Sequence, residues 1–258
     1  MKKVISLLLV LCFFVSAFSF GAYAKYAGDI LFNDIPWGTD YYETIRQLKE
    51  KYDIEFDEPK YREEEVSLSK VVGGERYEFK SSAVVSVSVK SKNTVKIANY
   101  PAQVFLVFYF LNDGTEIFEN DLHKTALSYA EYTFLNLQDR DTTRKELMIK
   151  LESIYGGYES TGTSKSFYYY GKDPKSTSDD VYDTQLSISN TESGDYDKTQ
   201  PHDGLILTYK VYHNYWREAN EAVLNQKVNN AYETMKNLDD AARKQFEEDA
   251  RNGNKDGL

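Results

Sequence analysis

The sequence predicts an α+β fold: a largely antiparallel sheet with helices packed on one face, compatible with two related helix-then-strands units, and a long C-terminal helix. Three observations carry this. Residues 104–110 are an apolar run with no polar face, which suits a strand at the centre of a sheet. Val85, Val87 and Val89 alternate with Ser86 and Ser88, as a half-buried strand does. Residues 40–53 and 143–155 place apolar side chains at helical spacing behind helix-start signals.

The first 24 residues are read as lying outside the fold. Lys2 and Lys3 form a basic start, residues 4–20 are nearly all apolar, and Ala22, Tyr23 and Ala24 make a small-residue cleavage site before Lys25. This pattern predicts a secretory signal peptide and a secreted or periplasmic protein. Removing 24 residues from 258 leaves 234, enough for one large domain or two small ones. Cys12 is the only cysteine and leaves with the leader, so the mature chain has no disulfide and no thiol nucleophile. Losing Lys2 and Lys3 moves the net charge from −10 to −12, which disfavours nucleic acid as a partner.

Taken in order, Asp40 and Glu43 form a capping box, and Tyr41, Ile45, Leu48 and Tyr52 follow at helical spacing. Residues 54–65 are charged, contain Pro59 and read as a loop. Residues 66–72, a turn at Gly73 and Gly74, and residues 77–79 predict a hairpin. Residues 95–99 form a short strand, and Pro101 marks a strand start or edge. Asn112, Asp113 and Gly114 turn the chain toward a second run at 128–134. Thr143 and Glu146 read as the cap of a helix that ends at Gly156. Strands follow at 166–170, 184–189 and 205–211, separated by acidic loops at 171–183 and 190–203. From about Asn214 a long helix carries Leu224, Val228, Ala231, Met235, Leu238 and Ala242 at steps of four and three. A fresh cap near Asn237–Asp240 would break it.

The two helix signals also match each other. Asp40, Glu43, Ile45, Leu48 and Tyr52 align with Thr143, Glu146, Met148, Leu151 and Tyr155 at a constant offset of 103. The expected organisation is therefore a leader at 1–24, an α+β domain at 25–213 with candidate units 25–136 and 137–213, and a C-terminal helix and frayed tail at 214–258.

This order of signals resembles a group of uncharacterised secreted bacterial proteins. The likeness is carried by Ile-Pro-Trp-Gly-Thr at 35–39, the apolar strand at 104–110, Tyr132 and Phe134, the helix end at 151–156, and Leu207 and Tyr209. The arrangement also resembles the tandem helix–sheet modules of beta-lactamase-inhibitor proteins, from which this chain departs in having no cysteine in its mature part. The resemblance implies secretion and an α+β fold, and supplies no catalytic residue.

No constellation of catalytic or metal-binding residues stands out. His123, His202 and His213 lack metal-pair spacing, and neither H-E-x-x-H nor G-x-S-x-G occurs. Asn252, Asn254 and Asp256 look like half a calcium loop, but the chain lacks the closing glutamate there. No cofactor is expected. Phe167, Tyr168, Tyr169 and Tyr170 are the most suggestive patch: either an aromatic surface for a sugar or peptide, or a strand whose alternate rings pack inward. Trp37 and Trp216 read as core anchors. The leading expectation is an exported, non-enzymatic protein binding a macromolecule or cell-envelope component. The alternatives are a secreted glycosidic hydrolase with a carboxylate pair invisible in sequence, and an assembly protein dimerising through its last helix.

Overall fold

A computed structural model describes residues 29–111, 121–160, 166–171, 184–191, 204–211 and 215–253. The predicted leader, the turn at 112–114, most of the two acidic loops, His202 and His213 lie outside the described residues. The expected α+β class is what the structure shows: a nine-stranded antiparallel sheet, three helices and a long C-terminal helix among them. The helices are α1 (Tyr41–Lys51), α2 (Arg140–Tyr155) and α3 (Tyr215–Gly253). The strands are β1 (Lys60–Val72), β2 (Glu75–Lys90), β3 (Val95–Ile97), β4 (Tyr100–Phe110), β5 (Thr125–Phe134), β6 (Glu159–Ser160), β7 (Phe167–Gly171), β8 (Thr184–Asn190) and β9 (Leu205–Val211). They lie in the order β1-β2-β4-β5-β9-β8-β7-β6, with β3 paired to β4.

Two compact units emerge, each discontinuous in sequence. One takes residues 94–104 and 130–213 with the chain before Ile35; the other takes 35–93, 105–129 and the chain after His213. Strands β4 and β5 run through both.

In the second unit, Asp40 caps α1 by accepting from the Glu43 amide at 3.1 Å. The Glu43 carboxylate is engaged by Arg46 and Gln47, which hold it down at about 2. Tyr41, Ile45 and Leu48 are buried, and the Tyr41 ring meets Phe108 edge-on at 5.3 Å. Gly73 and Gly74, at φ 63° and 90°, make the two-residue turn joining β1 to β2, a conformation that costs glycine least. The expected loop at 54–65 becomes strand from Lys60 onward. The reason is position: β1 is the sheet edge, where Lys60, Arg62, Glu63 and Glu65 are exposed, and such charges discourage pairing with another chain. The two runs separated in the sequence reading, 77–79 and 85–89, belong to the single strand β2. Ser86, expected on a solvent face, is buried.

Helix α3 is continuous from Tyr215 to Gly253, with no break at Asn237. It lies along the β1–β2 hairpin: Leu224 packs with Ala83, Val85 and Val66, and the Tyr232 ring meets Phe79 at 5.8 Å. The docked positions are Asn220, Leu224, Val228, Tyr232, Met235 and Asp239, so the predicted stripe is followed only in part; Ala231, Leu238 and Ala242 are exposed. Both tryptophans are half-buried rather than core, and the Trp216 ring sits against Gly38, where an added Cβ would come within 3.1 Å of it.

In the first unit, Phe32 packs with Tyr132 and Tyr209 at 5.0 and 5.4 Å. Helix α2 begins one turn earlier than expected. Its N-cap is Asp139, not Thr143, because Asp139 accepts both the Thr142 amide at 2.9 Å and the Thr142 hydroxyl at 2.7 Å. Thr143 lies inside the first turn and donates to the Asp139 carbonyl. Glu146 accepts the Tyr100 hydroxyl at 2.7 Å. The Thr142 amide leads the contacts that hold the Asp139 carboxyl below its ordinary 3.8. A depressed carboxyl contributes stability above the ordinary value and loses it as pH falls through the folded one. Asp139→Ala is therefore expected to lower the thermal midpoint at pH 7 by about 2–4 °C, a deficit that closes under acid; Asp139→Asn, which caps as well, should lose far less. Calorimetric melts at pH 7 and at strongly acidic pH check this.

Candidate functional site

Successive residues of a strand point to opposite faces, and the β7–β8–β9 register makes that split explicit. One row across the three strands is Tyr169, Leu186 and Tyr209. Tyr169 is 1% exposed, touches Tyr155 at 6.3 Å and donates its hydroxyl to the Met148 carbonyl at 3.4 Å. Phe167 shares that side, under the Arg144 guanidinium at 5.8 Å and against Tyr158 at 5.1 Å. Tyr169 is core beneath α2, and Phe167 is half-buried beside it.

The opposite face carries different chemistry. Tyr170, Gln185 and Lys210 form one row, and Tyr168, Ser187 and Thr208 the next. The Tyr168 and Tyr170 rings stand nearly parallel, 17° apart in plane and 6.4 Å between centroids. Of the suggestive patch at 167–170, the structure thus brings Tyr168 and Tyr170 together and sends Phe167 and Tyr169 the other way.

Two groups on this face are in unusual states. Gln185 is 4% exposed, and its side-chain carbonyl has no hydrogen-bond partner. Such a buried orphan acceptor costs free energy. Lys210 is half-buried, and burial alone pushes its ammonium below the ordinary lysine range. No carboxylate among the described residues lies within ion-pair distance of it. Neither residue was marked by the sequence reading. The signal was available in part: Gln185 and Lys210 are the long polar side chains on strands whose other polar residues are short.

Concavities among the described residues open elsewhere, and two of them carry little chemistry. One, of about 300 Å³, opens beside the start of α2 between Tyr100, Pro101, Leu135 and Thr142. The other lies at the hairpin tip between Val72, Tyr77, Met235 and Leu238. Among the described residues no cluster of three His, Cys, Asp or Glu side chains could hold a metal ion, and no helix is long and apolar enough to cross a membrane. His123 packs against the exposed Tyr42, ring centroids 4.4 Å apart and the planes tilted by 41°.

Fold and site together define an α+β protein with a nine-stranded sheet and a polar, tyrosine-bearing face on β7–β9. Comparison with protein families, with curated proteins and with solved structures finds no match.

Proposed function

We propose that this is an exported, non-enzymatic protein that binds a macromolecule or cell-envelope component through the β7–β9 face. The observation that supports this is the parallel pair Tyr168 and Tyr170 on the same face as Lys210, a half-buried cation with no ion-pair partner among the described residues. These are groups that hold and orient a ligand. Export rests on the basic start, the apolar stretch and the Ala22-Tyr23-Ala24 site. The full chain, expressed in a bacterial host, should be recovered outside the cytoplasm with its first residue at Lys25 by mass spectrometry. It should be retained on isolated envelope material, and Tyr168→Ser should cut that retention several-fold. Uncleaved protein in the cytoplasm would end the export reading, and retention indifferent to Tyr168 would end the binding one.

A second reading, assembly of two copies through α3, is favoured by the far end of that helix. The hairpin tip meets α3 at Asp239, beside Gly73, and residues 240–251 run on exposed. There Leu238 and Phe246 are 67% and 75% exposed. An antiparallel second copy crossing at Ala242 would set Leu238 against Phe246 and Asp239 against Gln245, so the exposed apolar positions are self-complementary. Light scattering of the chain beside Phe246→Glu tests it; a monomer in both cases removes this reading.

A further inference from the structure

We propose that the cavity at the tip of the β1–β2 hairpin receives Phe246 of a second copy of this chain, which rests on the reading of α3 as an assembly helix. The cavity holds about 440 Å³ between Val72, Glu75 and Tyr77 of the hairpin and Met235, Leu238 and Asp239 of α3. Val72 is buried, Tyr77 and Met235 are half-buried, and Leu238 is exposed. Both carboxylates lining it are engaged within the chain. Glu75 accepts the Tyr77 hydroxyl at 3.0 Å, and Asp239 pairs with Arg243 at 2.9 Å. What remains for an occupant is apolar: the Tyr77 ring, the Met235 thioether and the Val72 and Leu238 side chains. An aromatic ring suits that lining, because it gains burial together with ring and sulfur contacts.

The chain's own Phe246 cannot supply that ring. It stands eight residues beyond Leu238 on an unbroken helix, about 12 Å along the axis. The ring is 75% exposed, and residues 240–251 around it are exposed as well. A helix end of that length is marginal in water by itself, so it gains from a second surface. Leu238, Ala242 and Phe246 follow at steps of four, which puts them on one stripe. A second copy crossing antiparallel at Ala242 lays the same stripe against it and brings its Phe246 level with Leu238, at the cavity. The relation is two-fold, so the exchange of rings is mutual and closes at two copies.

Charge agrees with that register. At this crossing Lys236 is level with Glu248, Asp240 with Lys244 and Glu233 with Arg251, and no two like charges are level between 233 and 251. A parallel pair in register would set every charge level with its own copy. The contact is small. Two phenylalanine rings contribute about 300–500 Å² of burial against the roughly 1,200 Å² at which stable interfaces begin, so the pair forms and parts with concentration.

The test follows the full chain by light scattering and by peroxide oxidation of its methionines, dilute and about a hundred-fold more concentrated. The concentrated chain should be dimeric. Met235 should then oxidise about three-fold or more slowly than in the dilute chain, while Met148 on α2, outside the contact, keeps its rate. Phe246→Glu should remove both the dimer and the protection. Tyr77→Ala takes away a wall of the cavity and leaves α3 unaltered, and it should weaken the dimer about ten-fold or more. Should Tyr77→Ala fail to fold by circular dichroism, Met235 in the unaltered chain decides alone. A dimer in which Met235 oxidises at the dilute rate, or one indifferent to Tyr77→Ala, overturns the inference and leaves assembly through α3 standing. A monomer at both concentrations removes both.

Discussion

Phe108→Ala is expected to cost about 3–5 kcal/mol of folding stability, seen as a lower urea midpoint by circular dichroism and a thermal midpoint reduced by about 6–20 °C. The ring is fully buried, faces Val87 across the β2–β4 ladder and meets Tyr41 of α1 edge-on at 5.3 Å. It therefore ties a helix to the strand beneath it. Hydrogen-bonded strands on either side prevent the sheet from closing over the void, so both the lost transfer energy and the cavity contribute. The comparison is Phe246→Ala, where a ring of the same size is 75% exposed. That change should stay within about 0.5 kcal/mol. A Phe108→Ala cost below about 1 kcal/mol would mean that the apolar run at 104–110 is not a sheet centre.

That run is also where the sequence was most legible. An unbroken apolar stretch has few places to go in a folded chain, and β4 lies between β2 and β5 as its composition requires. The glycine turn at 73–74 and the Asp40 cap were readable for the same reason: each rests on the conformational limits of one or two residues. The errors came where two local signals competed. Thr143 and Glu146 satisfy a capping pattern, yet Asp139 caps α2, because a carboxylate one turn earlier can take both the amide and the hydroxyl of Thr142. The charged stretch after Pro59 looked like a loop, since an edge strand that must stay in solution carries the same residues as a loop.

The candidate site was legible by half. The four aromatics at 167–170 announced a strand with something on both faces. Which ring went where depended on which side α2 covered, and that is a tertiary fact. Gln185 and Lys210 sit 15 and 40 residues from Tyr170 in sequence, and only the β7–β8–β9 register places them in one row. The orphaned oxygen of Gln185 and the half-buried state of Lys210 were invisible before the strands were paired.

Asn220→Ala should be the second severe substitution, at about 2–5 kcal/mol. Asn220 is fully buried on α3, and its side-chain amide donates to the carbonyls of Phe110 at 3.1 Å and Val85 at 3.4 Å. The reason those carbonyls are open lies in β2. Opposite β1, Arg62 pairs with Ser86 but Glu63 pairs with Val84, so Val85 is the extra residue of a bulge. The β2–β4 register likewise stops at Ser86 and Tyr109, leaving Phe110 as the last residue of β4. Asn220 fills both gaps, one turn before Leu224 begins the apolar contact. Removing the amide orphans two buried carbonyls, each worth about 1–3 kcal/mol. Asn220→Asp separates this account from simple loss of packing. It keeps the shape, but an ionised carboxylate cannot donate, so at neutral pH it should be at least as unstable as the alanine variant. As pH falls and the acid is protonated, one donor returns, and the variant should regain stability relative to Asn220→Ala. An aspartate variant as stable as the parent at pH 7 would show that the amide is not what holds α3 to the ends of β2 and β4.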